Sequence, residues 1–189
     1  MRSVLAALAV LVLPCFVAVP AHSQDVRAAD VTVANVSFGP SRVTVGVGET
    51  VTWTFQDSMA HSATSDNGFF NTGLASGGAS RTVRFRSAGK FPYHCMVHPH
   101  MVGRVSVPVS ATGSAEDGWK LRWLAGDNPK NRAYDVQVRR KAAKTWTSFR
   151  KATTTGSARF DPGNGAWQVR ARTLKGAARS GWSPVVTLS

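Results

Sequence analysis

The fold is decided by the stretch Tyr93-His94-Cys95-Met96-Val97-His98-Pro99-His100-Met101. Within it a thiol, an imidazole and a thioether recur at three-residue spacing, at Cys95, His98 and Met101. Cys95 closes an alternating run that is typical of a strand, and Pro99 forces a turn soon afterwards. Donors on such a strand end and tight loop can converge on one ion. Two soft sulfurs and an imidazole favour copper over calcium or magnesium.

A second imidazole is needed to complete a blue-copper donor set, which has two imidazoles, one thiolate and a weak axial thioether. His61 is the obvious source, since it lies 34 positions before Cys95 and shortly after the strand-like run at residues 51–55. Taken alone, Cys95 would more often be a buried small hydrophobe and His61 a surface or capping histidine. The combination of donors, on loops that follow strands, favours a metal site.

The pattern Tyr-x-Cys-x-x-His-Pro-x-Met-x-Gly-x-Val-x-Val at residues 93–107 resembles the short ligand loop of the amicyanins, within the plastocyanin-like cupredoxins. The resemblance extends upstream through residues 43–53 and 68–73, and covers roughly residues 30–109. It implies one type 1 copper ion per chain. It also implies four copper ligands, which are His61, Cys95, His98 and Met101.

The family resemblance further implies that electrons pass through the edge of His98, where it emerges through an apolar patch. Met59, Met96 and Pro99 are candidates for that patch, and ordinary loop packing explains them equally well. His100 stands where amicyanins carry an apolar residue; it is a neighbour of the redox path, a pH-sensitive group or a rival ligand to His98. The Cys-x-x-His spacing favours His98.

Other positions around the loop give further expectations. His94 adjoins Cys95 on a strand, so its side chain is expected on the opposite face. Val97 replaces the usual proline of the loop, and its backbone N–H is a candidate donor to the Cys95 sulfur, which predicts a redox potential unlike that of a typical amicyanin. Ser62 stands where many relatives have an asparagine that ties the two ligand loops together.

The N-terminus has the pattern of a secretory signal. Arg2 precedes a nearly continuous apolar run at residues 4–19, and small residues stand before position 24, so residues 1–23 are predicted to be cleaved and the protein to be periplasmic or secreted. A retained membrane anchor is the alternative, but Pro14 breaks the run and it is short for a span. Cleavage leaves Cys95 as the single cysteine, and metal ligation would protect such a thiol in an oxidising compartment.

Short alternating segments with glycine turns predict an all-β chain of two domains. Residues 24–110 are expected to form a Greek-key cupredoxin β-sandwich, with one strand over residues 31–38 and a hairpin turn at Gly46–Glu49. Residues 111–116 are small and polar, as in a linker. Residues 117–189 resemble a fibronectin type III module, an immunoglobulin-like β-sandwich, in Trp123, the Tyr-x-Val-x-Val run at 134–138 and the Gly-Trp-Ser-Pro turn at 181–184.

Charge separates the two predicted domains. The chain has 189 residues and a formal net charge of +13, of which residues 114–189 carry +10 and residues 24–113 only +2. The basic second domain is either an electrostatic handle for an acidic partner or an anionic envelope surface, or a solvated face that keeps an exported domain soluble. Nucleic acid is an unlikely partner, because the export signal directs the protein to where little is found.

These observations predict an exported blue-copper protein that carries single electrons between redox partners. The alternatives are a copper-handling protein and an adhesion or docking protein that uses the basic C-terminal module. An enzyme is not expected. Copper oxidases need a further centre of several histidines, and only His61, His94, His98 and His100 remain after cleavage.

Overall fold

The structure, a computed structural model, describes residues 28–189. The predicted signal peptide, residues 1–23, therefore lies outside the described residues. Within residues 28–189 the regular elements are all strands, which confirms the all-β prediction. This part of the chain contains no helix that is long and apolar enough to cross a membrane.

Eight strands form two four-stranded sheets in the first half of the described chain. They are β1 (Ala29–Ala34), β2 (Ser37–Gly39), β3 (Arg42–Thr44), β4 (Thr50–Phe55), β5 (Thr64–Ser65), β6 (Ala79–Arg84), β7 (Gly89–His94) and β8 (Val102–Val107). One sheet has the order β2-β1-β4-β6 and the other the order β3-β8-β7-β5. β1 and β4 are parallel neighbours in the first sheet, and β3 and β8 are parallel neighbours in the second. In each case the chain between the two partners passes through the opposite sheet.

The core between these sheets comes from strict alternation. In β4 every second residue is buried, ending on Trp53 and Phe55, and β7 likewise buries Phe91 and Tyr93. Apolar residues at period two place one face of each strand inside. The same periodicity fixes the direction of the residue that follows β7, which is Cys95.

Two local predictions were wrong. Residues 31–38 are not one strand, because the chain turns at Asn35 and Val36, with φ of 50° and 54°, so that β1 pairs back on β2. Across this two-residue turn the buried positions change from odd numbers, Val31 and Val33, to an even number, Phe38, which a single continuous strand would not allow. The segment Gly46–Glu49 is not a hairpin turn either, since β3 and β4 belong to different sheets.

Eight further strands form the second half. They are β9 (Ser110–Ser114), β10 (Gly118–Arg122), β11 (Arg132–Arg140), β12 (Thr147–Thr153), β13 (Ser157–Phe160), β14 (Trp167–Lys175), β15 (Ala178–Arg179) and β16 (Val186–Leu188). β13, β10 and β9 form a three-stranded sheet, while β12, β11, β14 and β15 form a larger sheet in which β16 also pairs with β14. Trp123, Tyr134 and Val136 are buried in this half.

The segment predicted as a linker, residues 111–116, is largely a strand. Its first four residues belong to β9, which pairs with β10 over five residue pairs. Small polar residues suit an edge strand as well as a linker, so composition did not distinguish the two. The domain boundaries themselves remain a prediction.

The two halves make direct hydrogen bonds. The amide of Ala88 donates to the carbonyl of Trp123 at 2.9 Å, and Lys90 and Gly181 exchange two backbone hydrogen bonds of 2.9 Å. The hydroxyl of the buried Thr173 donates to the carbonyl of Ala88, also at 2.9 Å. The segment of residues 86–90 therefore joins the first half of the described chain to the second through backbone hydrogen bonds.

Candidate metal centre

Cys95 is aimed into the protein by the alternation of β7. Phe91, Tyr93 and Cys95 are buried, whereas His94 turns to the other face and lies 2.7 Å from the carboxylate of Asp66 through its Nδ1. The prediction that His94 points away from the Cys95 site is thus confirmed. The strand places one sulfur in the interior and sends the adjacent imidazole outwards.

The glycine of the sequence pattern secures this strand. Tyr93 pairs with Gly103 on β8, and a Cβ at Gly103 would overlap the ring of Tyr93. Only glycine lets the ring lie flat over the neighbouring backbone. The close packing of Tyr93 holds the end of β7, and Cys95 with it, in place.

His61 reaches the same point from the other loop. Its backbone forms an isolated bridge with Ala75, with hydrogen bonds of 2.9 Å in both directions, and its side chain is fully buried. The ring nitrogen Nε2 lies 3.0 Å from a carboxylate oxygen of Asp57. The other nitrogen, Nδ1, faces Cys95.

Three donor atoms converge at this position. Cys95 Sγ lies 3.8 Å from His61 Nδ1 and 3.8 Å from His98 Nδ1, and the two nitrogens are 3.1 Å apart. His61 and Cys95 are buried and His98 is half-buried. Among residues 28–189 this is the one group of three or more His, Cys, Asp or Glu side chains with metal-binding spacing.

These distances fit a metal ion bound by all three atoms. With metal–nitrogen bonds of about 2.0 Å and a metal–sulfur bond of about 2.3 Å, a planar three-coordinate ion would separate sulfur from nitrogen by about 3.7 Å and the nitrogens by about 3.5 Å. The observed sulfur–nitrogen separations agree, and the nitrogens lie somewhat closer. One thiolate and two imidazoles are the equatorial donors of a type 1 copper site.

The surroundings of Cys95 favour the deprotonated form of its thiol. Burial raises its pKa, but hydrogen bonds from surrounding groups, first among them the amide of Ser62, outweigh burial and lower the pKa to about 6. The amide of Ser62 lies 3.4 Å from Sγ. A metal needs the thiolate form, which these donors favour.

Ser62 also joins the two ligand loops. Its hydroxyl accepts a hydrogen bond of 3.1 Å from the amide of Met96, next to Cys95, and lies 3.0 Å from the hydroxyl of Thr64. Ser62 is completely buried. Ser62 therefore links the two ligand loops, at the position where many proteins of the resembled family have an asparagine.

The remaining predicted positions lie on the same loop. Met101 is buried, its carbonyl accepts from the amide of Cys95 at 3.0 Å, and its amide donates to the carbonyl of His98 at 2.9 Å. These bonds close the ligand loop, while axial ligation by the Met101 sulfur remains a prediction. His100 is exposed, with its ring 6.4 Å from that of His98, and does not belong to the donor cluster.

Several apolar side chains of the two ligand loops are exposed. Met59, Met96 and Pro99 are all exposed, and Val97 is exposed as well. Two contributors to the centre were missed by sequence reasoning, the Asp57 carboxylate and the Ser62 amide. Asp57 stands only four residues before His61 in the sequence, and this short spacing could have indicated the contact between their side chains.

Comparison with known proteins gives a consistent result. The sequence family described as a cupredoxin-like domain matches residues 6–107. Amicyanin of Paracoccus denitrificans is 30% identical over 82 residues, which are 41% of this chain, and the chain spans 63% of that protein's length.

Solved structures that are similar include two amicyanin variants. A reduced Cu(I) form at pH 4 is 29% identical, with a TM-score of 0.41, over 42% of this chain and 81% of that chain. An oxidized variant is 27% identical, with a TM-score of 0.40, over 42% of this chain and 80% of that chain.

Proposed function

Because the chain belongs to the cupredoxin-like domain family, we propose that it is a type 1 copper protein that carries single electrons between redox partner proteins. One observation carries the proposal: a thiol and two imidazole nitrogens converge at 3.1–3.8 Å in a site that is buried except at His98. Soft thiolate combined with imidazole is suited to copper.

Each proposed ligand has a separate task. Cys95 binds as the thiolate and provides the strongest bond, while His61 and His98 bind as neutral imidazoles through Nδ1. Met101, buried beneath the same loop, is the proposed axial ligand. Copper bound here supplies one-electron redox chemistry.

The route to a partner is proposed to pass through His98. His98 is the one member of the cluster that is partly exposed, whereas His61 and Cys95 have no exposed surface. Exposed Met59, Met96 and Pro99 would let a partner approach without a large desolvation cost, since apolar surface favours close contact. The buried ligands are kept from water.

We also propose the domain arrangement and location. Residues 24–110 form the cupredoxin domain, and residues 117–189 form a fibronectin type III-like domain. In support, the second half has a three-stranded sheet and a larger sheet whose central strands are β11 and β14. Export to a periplasm or to the outside is supported by the signal pattern at residues 1–23.

The basic second half is the proposed handle for an acidic partner or anionic surface. Arg140, Lys141, Lys144, Arg150 and Lys151 are exposed and lie on or between β11 and β12. Sedimentation of the full mature chain with anionic and with neutral vesicles tests this handle. Binding to anionic vesicles that is lost in salt supports it, and the absence of binding to either vesicle argues for a merely solvated face.

The copper proposal is tested by the visible spectrum of the mature protein loaded with Cu(II), beside Cys95→Ser and the matched control His100→Ala. An intense thiolate-to-copper band that is bleached by reductant is expected in the unmodified protein and in His100→Ala. The band is not expected in Cys95→Ser. A spectrum without thiolate character in the unmodified protein would refute the site. Rapid release of Cu(I) to an acceptor chelator, with slow electron exchange, would instead favour a copper-handling role.

A further inference from the structure

We propose that Asp57 is a positioning residue of the metal centre: its carboxylate orients the His61 imidazole and lowers the reduction potential of the bound copper. This inference rests on the proposed function, since it takes His61 as a ligand. Asp57 itself is not a ligand, because it contacts the ring nitrogen that faces away from Cys95.

The geometry assigns different partners to the two nitrogens of His61. Nε2 lies 3.0 Å and 3.2 Å from the two carboxylate oxygens of Asp57, while Nδ1 lies in the donor cluster with Cys95 and His98. A carboxylate only accepts hydrogen bonds, so the proton of the neutral ring belongs on Nε2. The lone pair then stays on Nδ1, where a metal needs it.

The carboxylate is itself held by the backbone. The amide of Asn35 donates to Asp57 Oδ2 at 2.9 Å, and the amide of Gly77 donates to the Asp57 carbonyl at 2.7 Å. Asn35 begins the two-residue turn between β1 and β2 with a left-handed backbone, which directs its N–H toward Asp57. The Asn35 amide thus fixes the carboxylate, and the Gly77 amide fixes the Asp57 backbone, beside a fully buried ring.

The charge of Asp57 has a predictable effect on the metal. A carboxylate that accepts from an imidazole makes the ring a stronger donor through its other nitrogen. Cu(II) carries one more positive charge than Cu(I) and gains more from that donation and from the nearby negative charge. The Asp57 side chain is only one-fifth exposed, so water screens the interaction incompletely. Asp57 therefore stabilises Cu(II) relative to Cu(I).

The test compares Asp57→Asn with Asp66→Asn at one neutral pH. Asparagine keeps an acceptor for the Asn35 amide but removes the charge, and Asp66→Asn removes the same charge from the pair with His94, which is not a ligand. For Asp57→Asn we expect Cu(II) affinity to fall about tenfold relative to Cu(I), which raises the one-electron potential by about 59 mV. Asp66→Asn is expected to shift the one-electron potential by less than a quarter of that amount.

A copper-free measurement separates this inference from the copper proposal. Nitrogen NMR of the metal-free protein reports which ring nitrogen of His61 carries the proton, and we expect Nε2–H in the unmodified chain and a mixture of tautomers in Asp57→Ala. An unmodified chain with the proton on Nδ1, or equal potentials in Asp57→Asn and the unmodified protein, overturns the role of Asp57. Absence of the blue band in the unmodified protein would overturn the copper proposal and, with it, the effect of Asp57 on the potential, while the tautomer would still decide whether Asp57 orients His61.

Discussion

Replacing Ser62 by alanine tests how the two ligand loops are held together. The Ser62 hydroxyl accepts from the Met96 amide at 3.1 Å inside a fully buried position, so its removal leaves that amide without this acceptor. Thr64, its other neighbour, keeps Asn71 as a partner at 3.1 Å. One lost hydrogen bond with a partly buried donor left unpaired costs about 1 to 2 kcal/mol. For a chain of this size, that lowers Tm by about 2 to 8 °C.

The assay is denaturant unfolding of the copper-free protein, because bound metal would add its own stabilisation. Ser62→Asn is the matched variant: its side-chain oxygen can accept from the same amide, so a smaller loss is expected. Since the Ser62 backbone amide still donates to Cys95, the potential of copper-loaded Ser62→Ala should change little. A loss below about 0.5 kcal/mol for Ser62→Ala would refute the tie between the loops.

Two further predictions concern the ligand loop and the second half. Val97→Pro removes an amide that helps to lower the pKa of the Cys95 thiol, so the thiolate becomes a stronger donor and cyclic voltammetry should show a lower potential; an unchanged potential would dismiss the amide. Burial raises the pKa of Asp135, but the Ala152 amide and the Arg172 guanidinium outweigh it and hold the pKa below its usual range. Because the folded pKa is depressed, this stabilisation is present above about pH 4 and is lost as the pH falls further. Asp135→Asn should therefore cost about 2 kcal/mol in urea unfolding at neutral pH and progressively less in acid, whereas a pH-independent loss would contradict the ion pair.

The sequence was informative where structure is local. Cys95, His98 and Met101 stand on one short loop, and the alternation of β7 gave the inward direction of Cys95 and the outward direction of His94. His61 was placed by chemistry, because the donor set lacked one imidazole and a loop after a strand carried one. Strand positions in both halves follow from alternation, which burial of one sheet face imposes on the sequence.

The features that sequence reasoning missed depend on contacts between distant segments. The turn at Asn35 and Val36 is marked in the sequence by a one-residue slip of the alternation between Val33 and Val36 and by asparagine's tolerance of a left-handed backbone, but both signals are weak beside the continuous run of strand-forming residues. Asp57 was within four residues of His61, but its contact with Nε2 depends on how β4 ends and on the Asn35 amide. The hydrogen bonds between residues 86–90 and the second half likewise join segments far apart in the chain.

The construction of the centre favours electron transfer over copper delivery. Cys95 is fixed at the end of a strand that packs tightly on Gly103, and His61 is fixed by its backbone bridge to Ala75. Ser62 connects these two supports, so we expect the donor atoms to keep their places in both oxidation states of a bound ion. A carrier gains from such rigidity, because little has to move when an electron arrives, whereas delivery requires ligands that open to release the ion. His98, on the loop that closes through Met101, is the one cluster member that is partly exposed, so the proposed electron path through His98 requires no ligand to leave the metal.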